Sequence, residues 1–145
     1  MDAKRILVID DCKFQLALVR DLLEAKGFEV VTAESGLEAN NHIYGRSRPD
    51  LILLDVAMPM LDGDRKAKLI KERESSRDIP VILMSGKGEE ELRRLVVSSG
   101  ADGYVQKPIN DGSLTDLISG LLGDTDKGTG SPSPAPFTRP FGAKL

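Results

Sequence analysis

The sequence predicts a doubly wound α/β domain, and three observations carry that expectation. Short apolar runs alternate five times with longer amphipathic stretches. The runs Ile6-Leu7-Val8-Ile9, Leu51-Ile52-Leu53-Leu54 and Val81-Ile82-Leu83-Met84 are apolar without alternation, as strands covered on both faces require. A polar or charged residue follows each of these runs at once, so chemistry gathers at one edge of any sheet they form.

The elements follow in order. Ile6–Ile9 is the first strand, and a helix near 13–26 succeeds it, with Phe14, Leu18, Leu22 and Ala25 as its apolar pattern. Gly27 suits the end of that helix, because glycine adopts the left-handed conformation found there at no steric cost. The second strand is Phe28–Val31, interrupted by Glu29, and leads into a helix near 36–45. Leu51–Leu54 and a helix near 63–75 form the third unit. Val81–Met84 and a helix near 88–99, closed by Gly100, form the fourth. The weaker run Gly103-Tyr104-Val105 and a helix near 110–122 complete the pattern. Five such repeats read as an open, mostly parallel sheet with helices on both faces.

Composition narrows the function. The chain has 145 residues, 40% of them hydrophobic and 30% charged, which fits one soluble globular domain. Apolar runs of four or five residues are too short to span a bilayer. Asp10-Asp11 stops the first run too early for a signal peptide. Cys12 stands alone, so neither an intrachain disulfide nor a thiolate cluster can form, and a reducing cytoplasm is the expected location. His42 is likewise alone, expected to be solvated on the second helix. The net charge of −3 argues against nucleic-acid binding. Residues 123–145 hold four of the eight prolines and only Phe137, Phe141 and Leu145 as large apolar residues, so they read as a flexible tail or linker. The working domain is therefore 1–122, with a net charge of −4. Within it, the basic run Arg65-Lys66-Ala67-Lys68 with Lys71 and Arg73 reads as a solvated helix face.

In open α/β sheets a ligand binds beyond the carboxyl ends of the strands, where the strand order reverses. Asp10 and Asp11 follow the first strand, Asp55 the third, Ser85 the fourth, and Lys107 with Pro108 the fifth. Carboxylates about 4 Å apart repel by about 4 kcal/mol at a surface-like dielectric, so either one takes a proton or a cation sits among them. An all-oxygen anionic site without His or Cys suits a hard ion, Mg2+ above all. Lys107 and Ser85 fit such a site if a phosphoryl group also binds there. Asp55, at the end of the central strand, is then the natural nucleophile.

Asp10-Asp11 after Ile-Leu-Val-Ile, Asp55 with Met58-Pro59 and Asp62-Gly63, Ser85-Gly86, and the run Ala101 to Pro108 together resemble the receiver domain of two-component response regulators. The resemblance covers roughly residues 4–122 and is closest in kind to single-domain, chemotaxis-type regulators. It implies a flavodoxin-like strand order, 2-1-3-4-5. It implies that Asp55 accepts a phosphoryl group from a sensor histidine kinase or phosphotransfer protein. Asp11, Asp55 and the backbone carbonyl of Ala57 would hold Mg2+ directly, and Asp10 through water. Lys107 would pair with Asp55 or its phosphate, Ser85 would bond a phosphoryl oxygen, and Tyr104 would follow from an outward to an inward rotamer. A cis Lys107–Pro108 bond is part of the same expectation.

The resemblance implies a signalling phosphoacceptor that assists its own phosphorylation and dephosphorylation, not an enzyme acting on a separate substrate. Its fourth helix, fifth strand and fifth helix would carry the output to a downstream protein or a homodimer, chemotaxis or motility among the outputs. Neither nucleic acid nor membrane insertion is expected. Two alternatives stay open: the receiver part of a longer regulator, or a docking module with little dependence on phosphorylation. Gly86 stands where the family more often has alanine, and Ala57 and Lys87 occupy positions that tune dephosphorylation in relatives. A haloacid-dehalogenase-type phosphatase would need an acid where Ala57 stands. A flavodoxin-like electron carrier would need a phosphate-binding loop where Asp10-Asp11 would repel the flavin phosphate.

Overall fold

Strand and helix alternate throughout the computed structural model, which describes residues 3–57, 63–109 and 111–123. The order is β1 (Arg5–Ile9), α1 (Lys13–Glu24), β2 (Glu29–Ala33), α2 (Gly36–Ile43), β3 (Leu51–Asp55), α3 (Gly63–Glu72), β4 (Val81–Ser85), α4 (Glu89–Ser99), β5 (Gly103–Gln106) and α5 (Asp111–Leu122). All strand pairs are parallel and the sheet order is β2-β1-β3-β4-β5, the arrangement that the resemblance implies. The order reverses between β1 and β3, so a crevice opens beyond the carboxyl ends of these two strands. Met58, Pro59 and Asp62 lie outside the described residues, as does the expected tail beyond Gly123. Among the described residues no helix is long and apolar enough to cross a membrane.

The pleat divides the strand residues between two cores. Leu7, Ile9, Ile52, Leu54, Val81 and Leu83 face α2, α3 and α4, where Ala39, Ile43, Ala67, Ile70, Leu92 and Val96 cover them. Ile6, Val8, Leu51, Leu53, Ile82 and Met84 face α1 and α5, against Leu16, Val19, Leu23, Leu114, Leu117 and Ile118. This two-sided burial is why β1, β3 and β4 read as unbroken apolar runs.

The structure corrects the reading of α1. Leu16, Val19 and Leu23 are buried, whereas Phe14 is 72% and Leu18 37% exposed, and Ala25 is exposed as well. Both sets recur at three- and four-residue steps, so helical periodicity marks two apolar faces without saying which one meets the sheet. β2 also lies further along than expected, ending at Ala33.

Local chemistry sets the helix ends. The Ser35 side chain accepts from the Glu38 N–H at 3.1 Å, and the Glu38 carboxylate accepts from the Glu34 N–H at 2.9 Å, a close relative of the capping box. Glu89, Glu90 and Glu91 occupy the first turn of α4, where negative charge offsets the helix dipole. Gly27 (φ 94°) and Gly100 (φ 82°) adopt the left-handed conformation anticipated after α1 and α4.

At the edge opposite the crevice, side chains tie the layers together. Lys71 of α3 donates to the Ile79 carbonyl and to Asp102 Oδ2, both at 2.9 Å. The same Asp102 oxygen accepts from the Val81 N–H at 2.8 Å. Tyr44 and Ser76 share a hydrogen bond at 3.1 Å, with the Arg73 guanidinium 5.1 Å from the tyrosine ring centre. Lys66 is half-buried and bonded to Asn40. The basic run on α3 is thus only partly a solvated face: Arg65 and Lys68 are exposed, while Lys66 and Lys71 are structural.

Replacing Asp102 by alanine takes the carboxylate from a half-buried ammonium, which keeps the Ile79 carbonyl, and removes the side-chain acceptor of the first amide of β4. Urea denaturation of Asp102→Ala is expected to show a loss of about 2–3 kcal/mol. A loss below about 0.5 kcal/mol would show that this pin contributes nothing.

Candidate functional site

Asp10 directly follows β1 and Asp55 closes β3, and because these strands are neighbours their carboxylates come together at the crevice. Both residues are buried, Asp10 at 1% exposure and Asp55 at 4%. Asp11, one residue further on, stays exposed. One carboxylate oxygen from each of the three acids lies within 4.8 Å of the other two. Asp10 Oδ1 accepts from the Cys12 N–H at 3.0 Å, and Asp55 Oδ1 accepts from the Ala57 N–H at 3.2 Å. These amides orient the carboxylates through tight local turns.

Lys107 enters from the end of β5. Its ammonium lies 3.1 Å from Asp10 Oδ2 and 3.6 Å from Asp55 Oδ1, so one positive charge serves two buried acids and sits closer to Asp10. Its backbone N–H donates to the Ser85 carbonyl at 2.8 Å, and the Lys107–Pro108 peptide bond is cis. The Asp55 carboxyl is held above the ordinary carboxylate range, chiefly by burial and further by the Asp10 charge. The Ala57 N–H and the Lys107 charge oppose that rise without cancelling it.

Ser85 closes β4 and is fully buried, and its hydroxyl oxygen accepts from the Lys87 N–H at 3.0 Å. A hydroxyl that accepts one bond keeps its proton available for another acceptor. A Cβ added at Gly86 would meet nothing within 4 Å, so the alanine common in the family would fit here too. Half-buried Tyr104 donates to Glu89 Oε2 at 2.6 Å, an oxygen that Arg93 also approaches at 3.3 Å. Burial first, and the Glu89 carboxylate second, raise the Tyr104 hydroxyl above its usual pKa. Cys12 occupies the N-cap position of α1, but its exposed thiol caps nothing. His42 is half-buried in the last turn of α2, away from the strand ends.

Sequence reasoning found Gly63 only as part of the Asp62-Gly63 motif, without its structural reason, and missed Glu89. A Cβ on Gly63 would stand 2.4 Å from the Val56 Cα and 2.8 Å from the Asp55 carbonyl oxygen. Glycine therefore lets α3 start against the backbone that carries Asp55. Glu89 has no mark in the sequence beyond its place at the start of α4, and nothing there shows that Tyr104 reaches it.

Three carboxylates against one ammonium leave an anionic, all-oxygen donor set without His or Cys, which fits a hard divalent cation. The buried Asp55 oxygens, a lysine and a free-to-donate serine around one crevice also suit an incoming phosphoryl group.

A family model described as the response regulator receiver domain matches residues 6–119. The chain is 39% identical over 121 residues to a chemotaxis protein CheY from Halobacterium salinarum, covering 83% of this chain and 98% of that protein. It is 36% identical over 124 residues to the polar-differentiation response regulator DivK of Brucella ovis, again covering 83% and 98%. Among solved structures, the signal receiver domain of a signal transduction histidine kinase from Syntrophus aciditrophicus superposes with a TM-score of 0.76 at 31% identity, covering 90% of this chain and 98% of that one. The chemotaxis response regulator CheY4 of Vibrio cholerae gives a TM-score of 0.75 at 26% identity, covering 83% and 100%.

A raised folded-state pKa means that ionised Asp55 opposes folding. Stability is then lost as pH rises from the ordinary carboxylate pKa through the higher folded value, and stays lost above it. Metal-free Asp55→Asn is therefore expected to unfold at higher urea than the parent at pH 7, with the gap closing toward pH 3. A parent protein equal to or more stable than Asp55→Asn at pH 7 would contradict this electrostatic reading.

Proposed function

The chain belongs to the response regulator receiver domain family, and from that footing we propose that it is a phosphoacceptor switch centred on Asp55. The observation that carries this reading is the buried Asp55 carboxylate, oriented by the Ala57 N–H and faced by the Lys107 ammonium. In the proposed step an Asp55 oxygen attacks the phosphorus of a phosphohistidine on a sensor kinase or phosphotransfer protein. The phosphorus–nitrogen bond breaks, the imidazole keeps the electron pair, and an acyl phosphate remains on Asp55. The donor is a partner protein, so the chain acts as a signalling phosphoacceptor that assists its own modification and not as an enzyme with a separate substrate.

Asp10, Asp11, Asp55 and the Ala57 carbonyl are the groups that would hold Mg2+, the ion best matched to this donor set. When bound, the ion supplies positive charge that offsets the phosphoryl oxygens. Lys107 balances charge on the other side, and its ammonium needs only to turn from Asp10 toward a phosphoryl oxygen. The Ser85 hydroxyl proton is free to meet another such oxygen.

Phosphorylation replaces the single charge of the Asp55 carboxylate by an acyl phosphate carrying close to two, at a site that already holds too many negative charges. Movement of Ser85 and release of Tyr104 from Glu89 would carry that change to the face formed by α4, β5 and α5. Output through this face, to a downstream protein or a second copy of the chain, is supported by the Tyr104–Glu89 contact that joins β5 to the first turn of α4. Exposed Val97 on α4 supplies apolar surface there.

Incubation with Mg2+ and acetyl phosphate, followed by borohydride trapping and peptide mass spectrometry, is expected to place the label on Asp55. Chelation of Mg2+ should abolish labelling, and Asp55→Asn should remain unlabelled. Label that persists in Asp55→Asn would overturn the assignment.

A further inference from the structure

β5 sends two side chains across to the segment that follows β4. Tyr104 and Gln106 are two residues apart on one strand, so they project from the same side of the sheet, the side covered by α4. Tyr104 bonds Glu89 in the first turn of α4, as described above. Gln106 donates its side-chain amide to the Lys87 carbonyl at 3.0 Å. The same residue, Lys87, donates its own N–H to Ser85 Oγ at 3.0 Å and pairs its ammonium with Glu91 at 3.4 Å.

Lys87 is therefore held at its amide, its carbonyl and its side chain, and each hold limits how the other two can move. The hold on the carbonyl comes from β5, a rigid strand paired to β4 through Ser85 and Gln106. The hold on the amide ends on the hydroxyl that closes β4 at the crevice.

From this chain of contacts we infer that Gln106 is a positioning residue for Ser85: by fixing the Lys87 carbonyl it keeps the Lys87 N–H on Ser85 Oγ, leaving the serine proton to serve an anion at Asp55. The inference rests on the phosphoacceptor reading of Asp55. Gln106 itself touches neither Asp55 nor the acids beside it, and the residue is exposed, so its removal leaves both cores intact.

This role separates two binding events. Mg2+ would be held by the three acids and the Ala57 carbonyl without Ser85, whereas a phosphoryl-like anion also uses Ser85. The test is a titration of the full chain with Mg2+, and then with beryllofluoride at saturating Mg2+, each followed by amide NMR shifts. Gln106→Leu, which keeps bulk and removes the donor, is expected to bind Mg2+ as the parent does and beryllofluoride about fivefold more weakly, the scale of one lost hydrogen bond. Its Ser85 and Lys87 amide signals should shift. Gln106→Arg, which restores a donor of sufficient reach, is expected to recover most of the beryllofluoride affinity. Parental beryllofluoride affinity in Gln106→Leu, or an equal loss of Mg2+ and beryllofluoride binding, would overturn the inference. Failure of the parent to bind beryllofluoride at all would overturn the phosphoacceptor reading itself, and this inference with it.

Discussion

Two buried carboxylates from adjacent strands share one lysine, and the rest of the crevice is arranged around that shortage of positive charge. Asp10 and Asp55 meet because β1 and β3 pair in register, Ile9 beside Leu54. At about 4 Å, two unit charges repel by about 4 kcal/mol even at a surface-like dielectric. Lys107 relieves part of this, lying within 4 Å of both acids, and two local amides relieve more. Burial first, and the remaining Asp10 charge second, hold the Asp55 carboxyl above its ordinary range, and the uncompensated negative charge makes the crevice a place where a cation is welcome.

A domain can carry such a site only if other parts of it stabilise the fold. Here β1, β3 and β4 are covered on both faces by apolar side chains, and the edge away from the crevice is tied by Lys71, Asp102, Tyr44 and Ser76. The two edges of the sheet thus differ in kind. One is satisfied by closed hydrogen-bond and ion-pair networks. The other holds excess negative charge and ends in groups that hold one another only in part. That division puts the capacity for change at the carboxyl ends of the strands, where loops and not core side chains must move.

The parts of this arrangement that depend on local sequence could be read from it. A strand buried on both faces must be a continuous apolar run, which made β1, β3 and β4 visible, and the residues just beyond them had to lie at one edge. The parts that depend on which element lies beside which could not. Phe14 and Leu18 share helical spacing with Leu16 and Val19, and only the packed sheet decides which set is covered. Gly63 is required by the approach of α3 to the Asp55 backbone, a contact invisible before the chain folds. The reach of Tyr104 to Glu89 and of Gln106 to Lys87 follows from β5 lying next to β4 and α4. Lys107 was legible as a partner of Asp55, but its closer approach to Asp10 reflects a balance of charges that sequence order does not express.

The central claim is that burial, with the Asp10 charge beside it and one lysine shared between the two acids, makes Asp55 resist ionisation. The direct measurement is a pH titration of the Asp55 side-chain carboxyl by carbon-13 NMR, with and without Mg2+. The expected result is a midpoint above that of an ordinary aspartate in the metal-free protein, moving down when Mg2+ is added. A midpoint in the ordinary range that Mg2+ leaves unmoved would contradict the account.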